Sequence, residues 1–187
     1  MNIKDNIIIK DNFFNKDVLK KIHFDISTLK FSNRFKDIDD KNTIYPDNSH
    51  TPYQKIYFNV ELNLKHFAVL EVYKNLNKLF NNEKNVINGK HFYFLSTKHK
   101  KATPHNDRAD VNCLVYLKGN YLINSGTGFY DKNKDTGEYT LNTHVGFKEN
   151  RAIIFDSKIF HASLQFNENC GKRYVMANFF LMKNKND

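Results

Sequence analysis

Tryptophan is absent from these 187 residues, and cysteine occurs twice, at Cys113 and Cys170. Neither cysteine stands in a CxxC or Cys/His grouping, which excludes a disulfide-stapled scaffold and a zinc knuckle. The simple expectation is a reduced, cytoplasmic setting. Long apolar runs are also missing. The chain opens on the polar Met1-Asn2-Ile3-Lys4-Asp5-Asn6, and Ile7-Ile8-Ile9 is too short for the core of a signal peptide. No run approaches the length of a membrane span, so a membrane partner is not expected. There is no internal repeat and no sign of a second domain, and residues 1–187 read as one domain able to bury a core without staples.

What is abundant is positive charge, with a formal net charge of +9. Such a balance can draw nucleic acid, an anionic surface or an acidic substrate. The lysines are nevertheless spread along the chain, Lys98-His99-Lys100-Lys101 being the one tight run. Abundant Lys, Asn, Ile, Phe and Tyr fit a compositional habit, so nucleic acid is a possible partner but not the favoured one.

Along the chain, Ile7-Ile8-Ile9 reads as a short buried strand. A helix capped by Asn15 or Asp17 follows, with Val18, Leu19, Ile22 and His23 on one side. Residues 30–52 are polar and irregular, and a loop this long in a compact domain is often functional. Residues 65–82 carry a clear helical pattern in Val69, Val72, Tyr73, Leu76, Leu79 and Phe80. After an expected turn at Asn88-Gly89 the character changes to short strands, at 91–95, 111–117, 127–130, 141–147, 151–156 and 173–181. This order predicts a mostly β fold with some α: a double-stranded β-helix (jelly roll) core over 89–183, flanked by an N-terminal strand and supporting helices in 1–88.

The chemistry-bearing stretch is Ala102-Thr103-Pro104-His105-Asn106-Asp107-Arg108, at the mouth of the 111–117 strand. In extended backbone, residues i and i+2 project from one face, so His105 and Asp107 can aim at one point. They supply two ligands of a 2-His-1-carboxylate triad, the arrangement that suits non-haem Fe(II) with open coordination positions. His161 is the candidate third ligand, placed where the 151–156 strand and an Asp156-Ser157-Lys158 turn lead into the next extended segment. Twelve residues on (173 − 161), Arg173 shares a strand face with Val175, Ala177 and Phe179. A guanidinium on an apolar face needs an anionic partner, and a carboxylate is its bidentate match. His144 is a competing histidine, but no arginine follows it on a strand.

His105-Asn106-Asp107, His161 and Arg173, together with Cys113-Leu114-Val115-Tyr116-Leu117, Gly126-Thr127-Gly128-Phe129-Tyr130 and Ile153-Ile154-Phe155-Asp156, resemble the motifs of Fe(II)/2-oxoglutarate-dependent dioxygenases of the prolyl-4-hydroxylase-like kind. The resemblance covers residues 90–182. It implies that His105, Asp107 and His161 hold Fe(II), that Arg173 binds the far carboxylate of 2-oxoglutarate, and that O2 is the oxidant. A C–H bond of a peptidyl (prolyl-type) or small-molecule substrate would be hydroxylated, with release of succinate and CO2. Many relatives place a hydroxyl residue two positions after the arginine, and Val175 stands there instead, so Tyr116 or Tyr93 is expected to replace it. Nucleic-acid dealkylases of the superfamily carry a second arginine six positions on, where this chain has Phe179. The rivals are a non-catalytic basic jelly roll that binds a polyanion and a cupin-like zinc or iron protein with other chemistry. Two histidines and an aspartate also suit zinc, but a zinc hydrolase has no use for the carboxylate clamp at Arg173.

Overall fold

Alternating apolar residues, with few polar interruptions on the buried side, build two facing sheets in the computed structural model. It describes residues 7–31, 57–80, 84–96, 103–165 and 172–184. In chain order the elements are β1 (Ile7–Lys10), α1 (Lys16–Thr28), β2 (Tyr57–Leu62), α2 (Phe67–Leu79), β3 (Lys84–Ser96), β4 (Val111–Lys118), β5 (Leu122–Lys132), β6 (Tyr139–Phe147), β7 (Ala152–Asp156), β8 (Phe160–Gln165) and β9 (Arg173–Asn184). The larger sheet runs β1-β7-β4-β9-β3-β2 and the smaller β6-β5-β8, all paired antiparallel. His105 and His161 exchange backbone hydrogen bonds of 3.0 and 2.8 Å, which adds a one-residue fourth strand at the β8 edge of the smaller sheet. This is the expected mostly β jelly roll with helices to one side.

The two faces of the larger sheet have different partners. Val111, Cys113, Val115 and Leu117 of β4, Ile154 of β7 and Met176 and Phe180 of β9 pack with Ile22 and Ile26 of α1 and Val69, Val72 and Leu76 of α2. The alternate residues face the smaller sheet: Tyr116, Ile153 and Phe155 meet Phe129, Val145 and Phe147. Period-2 alternation thus sorts each strand between a helix-facing core and an inner core.

Local chemistry fixes the helix starts. Asn15 caps α1 by accepting from Val18 N at 2.9 Å. His66 caps α2 through Nδ1, which accepts from Ala68 N at 3.3 Å, while its Nε2 lies 2.9 Å from Asp25 on α1. Asn150, in the left-handed region at φ 62°, grips Phe14 through both its amide atoms at 2.8 Å, joining the β1–α1 connection to the β6–β7 turn.

Three expectations need correction. Asn88-Gly89 is no turn but lies inside β3, where the pairing with β9 shifts register between Val86 and Asn88. The strand expected at 127–130 starts earlier and runs longer, as β5 from Leu122 to Lys132. Strand β2 falls in a stretch for which no element was expected. The Lys98–Lys101 run and residues 32–52 of the expected loop lie outside the described residues.

Candidate metal centre

His105, Asp107 and His161 come together as predicted: one ligand atom from each lies within 4.8 Å of the other two. The antiparallel bridge between the two histidine backbones sets their rings side by side, with centroids 4.7 Å apart. Asp107 N donates to Ser157 O at 2.9 Å, which ties the loop carrying the carboxylate to the turn before β8.

Each imidazole is oriented from behind. Nδ1 of His105 lies 3.1 Å from Thr103 O, and Nδ1 of His161 lies 3.0 Å from Ile159 O. A carbonyl only accepts, so Nδ1 carries the proton in both rings and Nε2 is the nitrogen that keeps a lone pair for a metal. Nε2 of His161 sits 3.3 Å from Asp107 Oδ2. Asp107 is 2 % exposed, and its Oδ1 is buried with no hydrogen-bond partner. Burial pushes its carboxyl up, but His161, His105 and the Asn112 amide outweigh this and hold it below the ordinary carboxylate range. A buried, ionised carboxylate with an unpartnered oxygen, beside two imidazoles in the ligating tautomer, fits a divalent cation.

Arg173 crosses from the larger sheet to the smaller. It is 6 % exposed; its Nη1 donates to Ser125 Oγ at 3.0 Å and its Nη2 donates to Ser163 Oγ, while its guanidinium lies 5.7 Å from the Phe147 ring centroid. Among the described residues no carboxylate forms an ion pair with it. Ser163 is two residues beyond His161 on β8, so the imidazole and this hydroxyl share a face. Ser96 is the register partner of Arg173 on β3, and its buried Oγ has no partner either.

The two tyrosines part company. Tyr116 is in the inner core, stacked on Phe147 at 4.6 Å, its hydroxyl 2.8 Å from Thr127 Oγ1. Burial pushes this phenol up to about 12, against smaller downward pulls from the Thr127 bond and Arg173. It is therefore a protonated donor at neutral pH. Tyr93 lies on the opposite, helix-facing side, edge-on to His66 at 5.7 Å, and burial and the Asp25 carboxylate push its hydroxyl up. It stands away from Arg173, so its expected part in co-substrate binding is withdrawn. His144 is on β6, outside the ligand cluster.

Sequence reasoning missed Ser125, Thr127, Ser163 and Asn112. Ser163 carried a signal in its i+2 spacing from His161, and Thr127 in its place within the Gly126-Thr127-Gly128-Phe129-Tyr130 motif.

No protein-family model matches the sequence, and no curated protein matches it by sequence. Solved structures do match in fold. A prolyl hydroxylase from Trichoplax adhaerens, in complex with a hypoxia-inducible-factor peptide fragment, superposes with a TM-score of 0.61 at 13 % identity, over 96 % of this chain and 85 % of that one. HygX from Streptomyces hygroscopicus, with nickel, 2-oxoglutarate and hygromycin B bound, gives 0.59 at 12 % identity over 94 % and 82 %. A prolyl-4-hydroxylase from Pseudomonas putida gives 0.53 at 13 % over 94 % and 91 %. The chain thus has the fold of the prolyl-4-hydroxylase-like Fe/2-oxoglutarate oxygenases. Among the described residues, no helix is long and apolar enough to cross a membrane.

Proposed function

We propose that this chain is an Fe(II)- and 2-oxoglutarate-dependent oxygenase that hydroxylates a C–H bond. The observation that carries the reading is the pairing of a His105/Asp107/His161 cluster with a buried guanidinium, Arg173, whose partners are hydroxyls rather than a carboxylate. A cluster alone would suit zinc; a guanidinium with no carboxylate beside it among the described residues calls for a small dicarboxylate. Iron with 2-oxoglutarate and O2 would supply decarboxylation of the keto acid to succinate and CO2, with one oxygen atom entering the substrate C–H bond.

The chain's own groups do the rest. His105, Asp107 and His161 would hold the metal through two nitrogens and one oxygen. Arg173 would pair with the far carboxylate of 2-oxoglutarate, with Ser125, Ser163 and Tyr116 as neutral donors around it. The apolar inner core of Phe129, Phe147 and Phe155 keeps water from the reacting centre. The structures similar in fold include proteins bound to a peptide fragment and to hygromycin B, and for this chain the substrate is proposed as a peptidyl (prolyl-type) residue or a small molecule.

The test is succinate formation by purified protein given Fe(II), 2-oxoglutarate and O2, which proceeds slowly in this chemistry even without substrate. Asp107→Ala and His161→Ala are expected to abolish it. Turnover that persists without iron overturns the reading.

A further inference from the structure

We infer that Asn112, itself held by Ser157, is a positioning residue that fixes the rotation of the Asp107 carboxylate and so restricts it to single-atom metal ligation. The inference rests on the oxygenase reading above and adds a residue to it that lies outside the metal and co-substrate motifs. Asn112 is on β4 with no solvent exposure, and its register partners are Phe155 and Phe179. It therefore lies two and four residues from Leu114 and Tyr116 on the inner face.

Three buried side chains form a directed chain. Ser157 Oγ donates to Asn112 Oδ1 at 2.7 Å, and Asn112 Nδ2 donates to Asp107 Oδ2 at 2.5 Å. Ser157 is fully buried like Asn112. Because a carboxylate only accepts, the amide must turn Nδ2 toward Asp107, and the serine donor completes the other end. Backbone bonds strap the same segments, from Asp107 N to Ser157 O at 2.9 Å and from Ser157 N to Asp110 O at 3.1 Å. The carboxylate cannot rotate without leaving the amide unpaired in the interior.

The consequence is chemical. The amide holds Oδ2, which also lies 3.3 Å from His161 Nε2, while Oδ1 is buried without a hydrogen-bond partner, so with the carboxylate's rotation fixed the two oxygens meet a cation unequally. Three single-atom ligands leave three positions of an octahedral ion open. An aspartate binding through both oxygens would leave room for a chelating keto acid and none beside it. Asn112 thus helps keep the site open as well as bound.

The experiment is an anaerobic Co(II) titration of the purified protein, followed by visible absorption, for wild type, Asn112→Leu, Ser157→Ala and the double variant. Loss of such an outer partner weakens metal affinity about 10- to 100-fold. Asn112→Leu is expected to show that loss together with an altered visible Co(II) spectrum, the mark of a changed ligand field at the ion. Ser157→Ala should move both in the same direction by less, and the double variant should be no worse than Asn112→Leu, since the serine acts through the amide. If a folded Asn112→Leu, or a folded Ser157→Ala where the leucine variant fails to fold, binds Co(II) with wild-type affinity and spectrum, the positioning role is overturned. Wild-type protein that binds no Co(II), or binding that survives His161→Ala, overturns the oxygenase reading itself and this role with it.

Discussion

Replacing Arg173 by methionine separates the cost of a buried cation from its use. The guanidinium is 6 % exposed, and Ser125 and Ser163 are its hydrogen-bond partners. Swapping an incompletely paired buried charge for an apolar side chain of similar length is often neutral or stabilising. Against that gain, two serine hydroxyls lose a partner, at about 1 kcal/mol each. The two effects nearly cancel, so ligand-free Arg173→Met is expected to stay within about 1 kcal/mol of wild type, or about 2–4 °C in Tm. The response to ligand should differ sharply. In wild type with Mn(II), 2-oxoglutarate at about 100 times its Kd adds about 2.7 kcal/mol, which raises Tm by about 5–11 °C. Arg173→Met should lose most of that rise, and Arg173→Lys, which keeps the charge but not the fork, should retain part of it. Differential scanning fluorimetry reads all three. A methionine variant that keeps the full ligand-induced rise would refute the assignment of Arg173 to the carboxylate.

Other outcomes follow from packing and charge. Asp11 accepts from Arg151 Nε and from Lys148 Nζ, each at 2.7 Å, and these bonds hold its carboxyl at about 2, below the ordinary 3.8. A depressed carboxyl stabilises the fold above its unfolded pKa and loses that contribution as pH falls through the folded one. Between about pH 4 and pH 2, then, wild type should lose about 1 kcal/mol more than Asp11→Asn, a figure kept small because the side chain is 33 % exposed; urea melts across that range check it. At Gly126 an added Cβ would sit 1.9 Å from Val145 O, an overlap with backbone that β5 and β6 cannot relieve while paired, so Gly126→Ala should cost about 3 kcal/mol or more in chemical denaturation. At Gly128 the nearest atoms are Leu141 Cδ1 at 2.9 Å and the Tyr130 ring at 3.0 Å, side chains that can give way, so Gly128→Ala should cost about 1 kcal/mol.

Much of the site could be read from the chain because the residues concerned obey short rules. His105 and Asp107 sit two apart in extended backbone, and Arg173 is the charged member of an otherwise apolar strand face. The helices were legible for a similar reason: Val69, Val72 and Leu76 repeat at helical spacing and are buried against the sheet. What could not be read depends on contacts between distant strands. Strand β2 is different: Phe58, Val60 and Leu62 alternate with Asn59 and Glu61 at strand period, a local signal that sequence reasoning missed, and hydrogen bonds to β3 complete it. Asn112 looks like an ordinary polar residue in an apolar run, and only the turn at Ser157, 45 residues on, gives its amide a purpose. Gly89 likewise suggests a turn until β9 is alongside, where the chain continues straight through a bulge.

The tyrosines show how much rides on one residue of register. Arg173 pairs with Ser96 on β3, and partners opposite each other in an antiparallel ladder project from the same face. Counting back from Ser96, Phe94 shares the inner face, and Tyr93, an odd number of steps away, must turn to the helices. On β4 the partner of Val175 is Tyr116, and Val175 lies on the face of Arg173, so Tyr116 turns inward. Sequence alone offered both tyrosines as substitutes for the hydroxyl missing at Val175; the ladder admits one. Tyr116→Phe should therefore weaken 2-oxoglutarate binding, by about fivefold for one neutral hydrogen bond of about 1 kcal/mol. Tyr93→Phe, which changes a hydroxyl on the helix-facing side beside Asp25, should leave that affinity unchanged. Isothermal titration with Mn(II)-loaded protein measures both. If Tyr93→Phe weakens binding while Tyr116→Phe does not, the register of β3 and β4 against β9 is wrong, and the placement of Arg173 on the face of the His105/Asp107/His161 cluster falls with it.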